Sequence, residues 1–295
     1  MFPKTLVVAA LATAALAAAG CGGDGDDGPD SPTPAASAGA IAAELPDDIK
    51  SKGTLTVAAD ATYPPNEFLA PDGKTIVGMS PDLGDALAKA LGVEVKWVNA
   101  PFDGILPGLA AGKYDIGFSS FTDTKEREQT VDFVTYYRAG TSFFVLADGG
   151  PQIKDLKDLC GHTIAVQKGT IQADDATAQE GKCESAGDSS LKVLVLPDQP
   201  AANLALSSGR ADVAMTDSPI AAYQVEKSEG RFKLVGEPYG TAPYGIAVPK
   251  ESGLAEPLLD AVEAVMRDGT YDEVLRKWGV EVGAIDDPAI NGAVD

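Results

Sequence analysis

The feature that most constrains the fold of this chain is an internal repeat. Residues 109–120 (LAAGKYDIGFSS) match residues 206–217 (LSSGRADVAMTD): each has a helix end, a glycine, a basic residue, an aspartate and an apolar run that ends in polar side chains. The glycine stops the helix, and the short apolar run predicts a buried strand. Two ordinary helix–glycine–strand units can match by coincidence, but a match of this length favours two equivalent α/β lobes.

The two copies of the repeat end in different polar groups. The first predicted strand ends in Ser119 and Ser120, and the second ends in Asp217. Ligands of open α/β sheets bind at the carboxyl ends of the strands. The sequence therefore predicts a binding site to which one lobe contributes hydroxyl groups and the other an acid.

Arg127 follows the first of these strand ends. Residues 124–131 contain helix formers behind Thr124, which suits an N-cap, so a helix is predicted to start there. Free N–H groups at a helix start attract anions, and an arginine can hold a carboxylate through two parallel hydrogen bonds. The alternative is a surface arginine paired with Asp123, Glu126 or Glu128. On these residues alone the two interpretations stand about even.

A second helix start is predicted after the strand at residues 163–166. Gly169 precedes Thr170, Ile171 and Gln172, at which the helix would begin. The free N–H groups there suit an anion. A tight strand–helix turn that uses the conformational freedom of Gly169 explains the same pattern without a ligand.

The N-terminus has the composition of an export signal. Lys4 is followed by an uncharged apolar run at residues 6–19, too short to span a bilayer. The end of that run resembles a bacterial lipobox, which predicts a signal peptide over residues 1–20 and a lipid on Cys21; a plain cleavage site with an incidental cysteine is the alternative. Residues 21–44 contain much Gly, Asp, Pro, Ser and Ala and predict a disordered tether.

The cysteines and the net charge further restrict the class of protein to which the chain can belong. In an exported chain, Cys160 and Cys183 are expected to form a disulfide, two buried thiols being the alternative. No zinc pattern occurs, His162 is the only histidine, and neither metal nor cofactor is predicted. The net charge of −21 argues against nucleic acid as a partner.

Strands and helices alternate along the chain, as in a parallel α/β sheet. Extended stretches at 141–147 and 240–248 bracket the second unit and predict a two-stranded hinge. The expected fold is a two-lobed α/β protein whose lobes each have a mixed, mainly parallel sheet flanked by helices. The predicted segments are lobe 1 at 45–143 and 244–283, lobe 2 at 144–243, and a C-terminal tail at 284–295.

Five motifs together resemble the polar amino-acid (family 3) solute-binding proteins of ABC importers, over residues 53–279. They are ADATYPPNEF at 59–68, GMSPDL at 78–83, FDGILPGL at 102–109, SSFTDTKER at 119–127 with VDF at 131–133, and DGTYDEVLRKW at 268–278. Each is weak alone, and the five in order are specific. The resemblance implies a periplasmic-binding-protein-like fold that closes over one free amino acid and delivers it to an ABC permease.

Residue roles follow from the same resemblance. Arg127 would bind the ligand carboxylate and Asp217 its ammonium group, while Tyr63 and Phe102 would sandwich the side chain. A zwitterion between closed lobes satisfies both charges, whose burial is costly for either alone. The implied ligand-binding set is Asp60, Tyr63, Phe102, Ser119, Ser120, Thr122, Arg127, Gly169, Thr170, Ile171, Gln172 and Asp217.

Ligand identity stays open at this point. Relatives that bind basic amino acids tend to have Asp where this chain has Ser80, whereas Asp60 and Asp123 favour a ligand with a donor or cation at its tip. A polar or basic amino acid is expected, with glutamine, arginine or ornithine ahead of glutamate.

The protein is expected to be a non-enzymatic monomer, lipid-anchored to the outer face of the cell membrane. One alternative is an enzyme of the cyclohexadienyl dehydratase type with Glu67 or Asp123 as acid. The other is a sensory module that signals to a membrane kinase.

Overall fold

The computed structural model describes residues 38–294. The predicted signal peptide, Cys21 and the tether up to residue 37 lie outside these residues. The tether was expected to extend to residue 44, but residues 38–44 form a helix in which Ile41 is fully buried. Its alanine- and glycine-rich sequence resembles a linker, and tertiary packing supplies the stability that its composition does not predict.

Lobe 1 contains both ends of the described chain. Its strands β1, β5 and β6 are parallel, and helices pack on both faces of the sheet. Its elements are α1 (Ala38–Glu44), α2 (Asp47–Lys52), β1 (Thr54–Ala59), β2 (Thr62–Tyr63), β3 (Glu67–Leu69), β4 (Ile76–Val77), α3 (Met79–Leu91), β5 (Glu94–Asn99), α4 (Phe102–Ala110), β6 (Ile116–Thr122), a 3-10 turn (Arg127–Gln129), α8 (Ala255–Arg267), α9 (Thr270–Trp278) and a 3-10 turn (Glu281–Gly283).

Lobe 2 is inserted between β6 and α8 and repeats the same plan. Its parallel strands are joined by helices that cover both faces of the sheet. The elements of lobe 2 are a 3-10 turn (Leu156–Leu159), β8 (Thr163–Gln167), α5 (Ile171–Ala186), β9 (Lys192–Leu196), α6 (Gln199–Ser207), β10 (Val213–Asp217) and α7 (Ser218–Lys227). Cys160 and Cys183 form a disulfide here, as predicted.

Two long antiparallel strands, β7 (Val131–Leu146) and β11 (Phe232–Pro249), run through both lobes. The strand order is β5-β1-β6-β11-β7-β10-β8-β9, and β2, β3 and β4 form a small separate sheet. Register between β7 and β11 shifts on both sides of Tyr239. The predicted two-lobed fold with a two-stranded hinge is confirmed, and the paired strands bring the carboxyl ends of β6 and β10 towards each other.

Candidate functional site

A small cavity lies between the lobes at the carboxyl ends of β6 and β10. The space between its walls, including the part open to solvent, is about 280 Å³. Lobe 1 and lobe 2 contribute equally to its walls, which consist of Tyr63, Phe102, Ser120, Thr122, Arg127, Thr170, Ile171, Gln172, Thr216 and Asp217. Nine of the twelve predicted ligand residues are in this set. Thr216 was not in the predicted set, although the repeat aligns it with Ser119.

Arg127 forms the cationic side of the cavity. Its Nη1 donates to the Thr122 carbonyl oxygen (2.8 Å), and its Nη2 donates to the Gly169 carbonyl oxygen in lobe 2 (3.0 Å). The guanidinium lies 5.6 Å from the ring centroids of both Phe102 and Phe121, which fixes its plane. Burial lowers the pKa of Arg127, although nearby acids oppose this shift. The guanidinium has therefore lost part of its hydration, and a bound carboxylate would replace the lost hydrogen bonds.

The alternative surface role for Arg127 is wrong. Within residues 38–294, Arg127 has no salt-bridge partner, and Glu128 pairs with Lys125 instead (3.2 Å). The predicted helix at residues 124–131 is also wrong. The segment is a turn with a 3-10 helix at Arg127–Gln129, in which Thr124 Oγ1 accepts a hydrogen bond from the Arg127 N–H (3.2 Å).

Asp217 forms the anionic side of the cavity, opposite Arg127. Its Oδ1 accepts a hydrogen bond from Gln172 Nε2 (2.8 Å), which also donates to Thr141 at the hinge (2.9 Å). Burial raises the pKa of Asp217 to about 6, against the lowering effect of hydrogen bonds and of Arg127. A ligand cation beside this carboxylate would favour its ionised form.

The N-terminus of α5 supplies backbone N–H groups between these two charges. Thr170 is the N-cap, and its side chain accepts a hydrogen bond from the Ala173 N–H (3.3 Å). Thr170, Ile171 and Gln172 line the cavity with the first turn of the helix. This placement suits an anionic group that Arg127 also binds.

Three predicted ligand residues do not line the cavity. Asp60 accepts hydrogen bonds from the Phe102 N–H (3.2 Å) and from Gln167 Nε2 of lobe 2 (2.8 Å), and its own N–H donates to Ser119 Oγ (2.8 Å). Gly169 contributes its carbonyl oxygen, which accepts the hydrogen bond from Arg127 Nη2. Asp60 and Gly169 thus help to join the lobes, and Ser119 holds the backbone of Asp60 within lobe 1.

The lobes are closed over the cavity. Besides the Asp60–Gln167 and Arg127–Gly169 contacts, Lys168 of lobe 2 pairs with Asp103 of lobe 1 (2.7 Å). A Cβ atom at Gly169 would lie 2.9 Å from the Asp103 Cβ atom, and Gly169 has a φ of +78°, so this close approach favours glycine.

The aromatic pair differs from its predicted arrangement. Tyr63 and Phe102 were expected to flank a ligand side chain from opposite sides. Their ring centroids are 5.9 Å apart and their planes are inclined by 78°, so the rings contact each other edge to face. Phe102 also stacks on Phe121 at 4.5 Å. The rings form one wall of the cavity, because the space between them is already filled.

A buried polar cluster lies behind Ser120 and Tyr63. Glu67 is fully buried; its Oε2 accepts a hydrogen bond from Ser80 Oγ (2.7 Å), and its Oε1 has no partner. Burial raises the pKa of Glu67 to about 8. Asn66 Nδ2 donates to Ser120 Oγ (2.9 Å), and Ser120 has a φ of +50°. No local pattern in the sequence marks this cluster, because its members come from three separated segments.

Asp123 was expected near the tip of the ligand. The structure places it outside the cavity wall, with a side chain that is 1% exposed and faces Glu128. Asp123, which was expected to favour a ligand with a donor or cation at its tip, therefore does not line the cavity. Lys168 is likewise engaged with Asp103.

The family model for bacterial extracellular solute-binding proteins, family 3, matches residues 55–281. The chain belongs to this family. The predicted resemblance is thus confirmed, and members of the family act outside the cytoplasm. None of the helices in residues 38–294 has the length and apolar composition needed to cross a bilayer.

Individual relatives agree with the family assignment. The chain is 37% identical over 252 residues to the arginine-binding protein ArgT of Corynebacterium glutamicum, covering 85% of this chain and 82% of the relative. An ancestral arginine-binding protein bound to arginine matches with a TM-score of 0.70 and 39% identity, over 77% of this chain and 98% of that one. An ancestral amino acid-binding protein, AncCDT-1, a precursor of cyclohexadienyl dehydratase, matches with a TM-score of 0.71 and 36% identity, over 79% and 98%.

Proposed function

We propose that this protein is an extracytoplasmic receptor that binds a free basic amino acid, arginine in preference to others, and delivers it to an ABC permease. The observation that carries the proposal is the pair of opposite charges on the cavity. Arg127 comes from lobe 1 and Asp217 from lobe 2; each is partly buried, and within residues 38–294 neither forms a salt bridge. A zwitterion held between closed lobes satisfies both.

The carboxylate of the ligand is assigned to Arg127. The N–H groups at Thr170 and Ile171 face the same side of the cavity and complement a second carboxylate oxygen. The ammonium group is assigned to Asp217. Ser120 and Thr122 supply further oxygen acceptors beside it, and Gln172 holds the Asp217 carboxylate in place.

Arginine is favoured by the polar cluster behind Tyr63. Tyr63 and Glu67 are register partners on β2 and β3, so their side chains leave the hairpin on the same face. Glu67 lies behind the cavity wall, so a guanidinium on the Tyr63 side of the cavity would not contact it but would favour its ionised form, whereas the carboxylate of Asp60 is already paired with Gln167 and Phe102. The arginine-binding relatives support the same choice.

A receptor role is proposed in preference to an enzymatic one. Of the two acids considered for elimination chemistry, Asp123 lies outside the cavity wall, and Glu67 lies behind it, bonded to Ser80. The precursor of a dehydratase among the similar structures shows that the fold can acquire such chemistry. Incubation with prephenate and arogenate would test this directly, and product formation would overturn the receptor-only assignment.

We also propose that the mature protein begins at Cys21, carries a lipid there and acts as a monomer at the outer face of the membrane. The lipobox-like sequence before Cys21 supports this. Metabolic labelling with an alkyne fatty acid should tag the wild-type protein and fail to tag Cys21→Ala. Labelling that persists in the variant would contradict the assignment.

Calorimetry with arginine, ornithine, glutamine and glutamate tests the central proposal. Arginine should bind most tightly and glutamate most weakly. Glu67→Gln should weaken arginine binding severalfold and change glutamine binding little, because only arginine brings a cation to the side of the cavity behind which that carboxyl lies. Equal losses for both ligands would show that Glu67 does not recognise the side chain, and wild-type protein that binds no amino acid would overturn the proposed function.

A further inference from the structure

The C-terminal segment (residues 289–293) lies beyond the part of the chain that the family model matches. It runs antiparallel along the start of β7 and adds to the edge of the lobe 1 sheet, with Ile290 opposite Val134. The Thr135 N–H donates to the Ala289 carbonyl oxygen (2.9 Å), and the Asn291 N–H donates to the Phe133 carbonyl oxygen (2.9 Å). These two bonds are the pattern of a single antiparallel bridge between the segment and β7.

Side chains reinforce this pairing. Asn291 Oδ1 accepts a hydrogen bond from the Phe133 N–H (2.9 Å), and Asn291 Nδ2 donates to Asp132 Oδ1 (3.0 Å). Asn291 adopts a φ of +58°, a conformation that asparagine tolerates better than most residues. Asn291 therefore ties the C-terminal segment to the first residues of β7, directly after the turn that carries Arg127.

The end of the C-terminal segment reaches that turn itself. The Ala293 N–H donates to Glu128 Oε1 (3.2 Å), and Glu128 is the residue that follows Arg127. Asp123 stands at the other end of the turn; it is buried, and neither of its carboxylate oxygens has a hydrogen-bond partner. The backbone N–H of Gly292 faces this carboxylate.

Asp123 and Glu128 form a pair of facing carboxyl groups under the C-terminal segment. Burial, followed by the charge of Glu128, raises the pKa of Asp123 to about 7. Lys125 faces the pair from the turn, and it contacts Glu128. From β7, Asp132 is paired with Lys250, which directly follows β11 (2.9 Å). Ionisation of both members would place two like charges beside one cation, which disfavours their close approach.

A packed chain of rings leads from the same region to the cavity. Phe133, which Asn291 holds through its backbone, lies 6.4 Å from Phe121. Phe121 stacks on Phe102 and lies beneath the Arg127 guanidinium. A displacement of the C-terminal segment would therefore reach Arg127 both through its turn and through the rings that orient it.

We propose that the C-terminal segment and the Asp123–Glu128 pair clasp the turn that carries Arg127, and so are positioning elements for recognition of the ligand carboxylate. The inference rests on the proposed role of Arg127. None of these residues lines the cavity, so they act through Arg127 and not on the ligand. The C-terminal segment of the clasp lies beyond residues 55–281 that the family model matches, whereas Asp123 and Glu128 lie within them.

The first test displaces the C-terminal segment. A chain that ends at Asp287 should bind arginine about tenfold more weakly than the full chain. Gly292→Leu in the full chain should have a smaller effect in the same direction, because a Cβ atom there would lie 3.0 Å from Thr135 Cγ2. The matched control removes α1, whose Ile41 packs in the lobe 1 core with α3 and α8 and is far in the fold from the turn.

The outcomes separate the two proposals. Weaker binding by the shortened and Gly292→Leu chains, with unchanged affinity in the folded α1 control, supports the clasp. Unchanged affinity in both tail variants, or an equal loss in the α1 control, overturns it. If the wild-type protein binds no amino acid, the proposed function fails before the clasp is tested.

The second test uses Asp123→Asn, which imitates the protonated acid. Between pH 6 and 8 the arginine affinity of the wild-type protein should fall relative to that of Asp123→Asn, because only the wild-type pair becomes doubly charged. Asp217 and Glu67 are present in both proteins, so their effect on the pH dependence of affinity is removed when the two profiles are compared. Parallel pH profiles for the two proteins would overturn the role of the carboxyl pair. A general structural defect in Asp123→Asn would lower affinity equally at every pH and would therefore also give parallel profiles.

Discussion

The two lobes follow one plan but are stabilised differently. The core of lobe 1 is rich in rings, and Phe118, Tyr136, Tyr137 and Tyr244 are fully buried and packed against one another. Lobe 2 buries mostly aliphatic and small side chains. Its longest helix, α5, buries only Gln172, Ala173, Ala176, Gln179 and Cys183.

The consequence of this difference is that lobe 2 relies on a covalent bond where lobe 1 relies on packing. The face that α5 buries has no large aliphatic or aromatic side chain, so its burial contributes little hydrophobic free energy. The disulfide ties the C-terminal half of α5 to the loop before β8. The same contrast applies to the site: lobe 1 supplies the aromatic wall and Arg127, and lobe 2 supplies Asp217 and the helix N-terminus.

The largest effect is expected when lobe 1 loses its charge. Arg127→Ala should weaken amino-acid binding by more than about a hundredfold, because the ligand carboxylate would be buried without its cation. Arg127→Lys should recover only part of the affinity, since an ammonium group cannot make the paired hydrogen bonds. Calorimetry measures both, and near-normal affinity in Arg127→Ala would refute the assignment.

The second effect concerns the covalent bond of lobe 2. Replacing both Cys160 and Cys183 by alanine should lower the free energy of unfolding by about 3 kcal/mol on the chain-entropy model. Hydrogen exchange should show the loss of protection in α5 and not in α8 of lobe 1. Equal losses of protection in the two helices would mean that lobe 2 depends on the disulfide no more than lobe 1 does.

The third effect concerns Asp217 and pH. Its raised pKa means that the neutral acid is favoured in the fold, so its contribution to stability is full below pH 3.8 and is lost as the pH rises through about 6. Ligand binding has the opposite dependence, because the ammonium group needs the carboxylate. Affinity should fall by up to about tenfold per unit below pH 6.

Asp217→Asn is the control for this dependence. It should bind amino acids about tenfold more weakly at neutral pH and lose most of the change in affinity below pH 6. Carboxylic acids that lack the amino group should be less affected by the substitution. A persistent acid-induced loss in Asp217→Asn would assign the titration to another group.

The smallest effect is expected at the exposed contact between the lobes. The side chain of Lys168 is 65% exposed in its pair with Asp103, and such pairs contribute about 0–1 kcal/mol. Lys168→Ala should therefore raise the dissociation constant less than about fivefold, and less still at high salt. A much larger change would show that closure depends on this ion pair more than on the buried contacts.

Local patterns in the sequence were sufficient to predict the parts of the site that lie next to regular strands. The repeat placed Ser120 and Asp217 at strand ends, and Gly169 with Thr170 marked the start of α5. The fold class followed from the alternation of strands and helices. The contact of Asp60 with the other lobe could not be predicted, because it depends on Gln167 of lobe 2 lying next to it in the closed structure.

The remaining errors have one physical origin, which is tertiary contact between distant segments. The turn at Arg127 is not a helix, and its Glu128 is bonded to Ala293, 165 residues away. Ile41 is buried in a segment whose composition predicts a tether. Glu67 could be recognised as a buried acid only from the positions of Ser80 and Ser120 around it.

The insertion of lobe 2 between the two passes of the hinge has a mechanical consequence. Ala38 and Val294, the ends of the described chain, both belong to lobe 1, and lobe 2 lies within the stretch that the β7–β11 ladder closes. Tension applied between the ends would load lobe 1 directly. Lobe 2 would bear no force until that ladder had parted, so a pulling experiment should record the rupture of lobe 1 first and that of lobe 2 second.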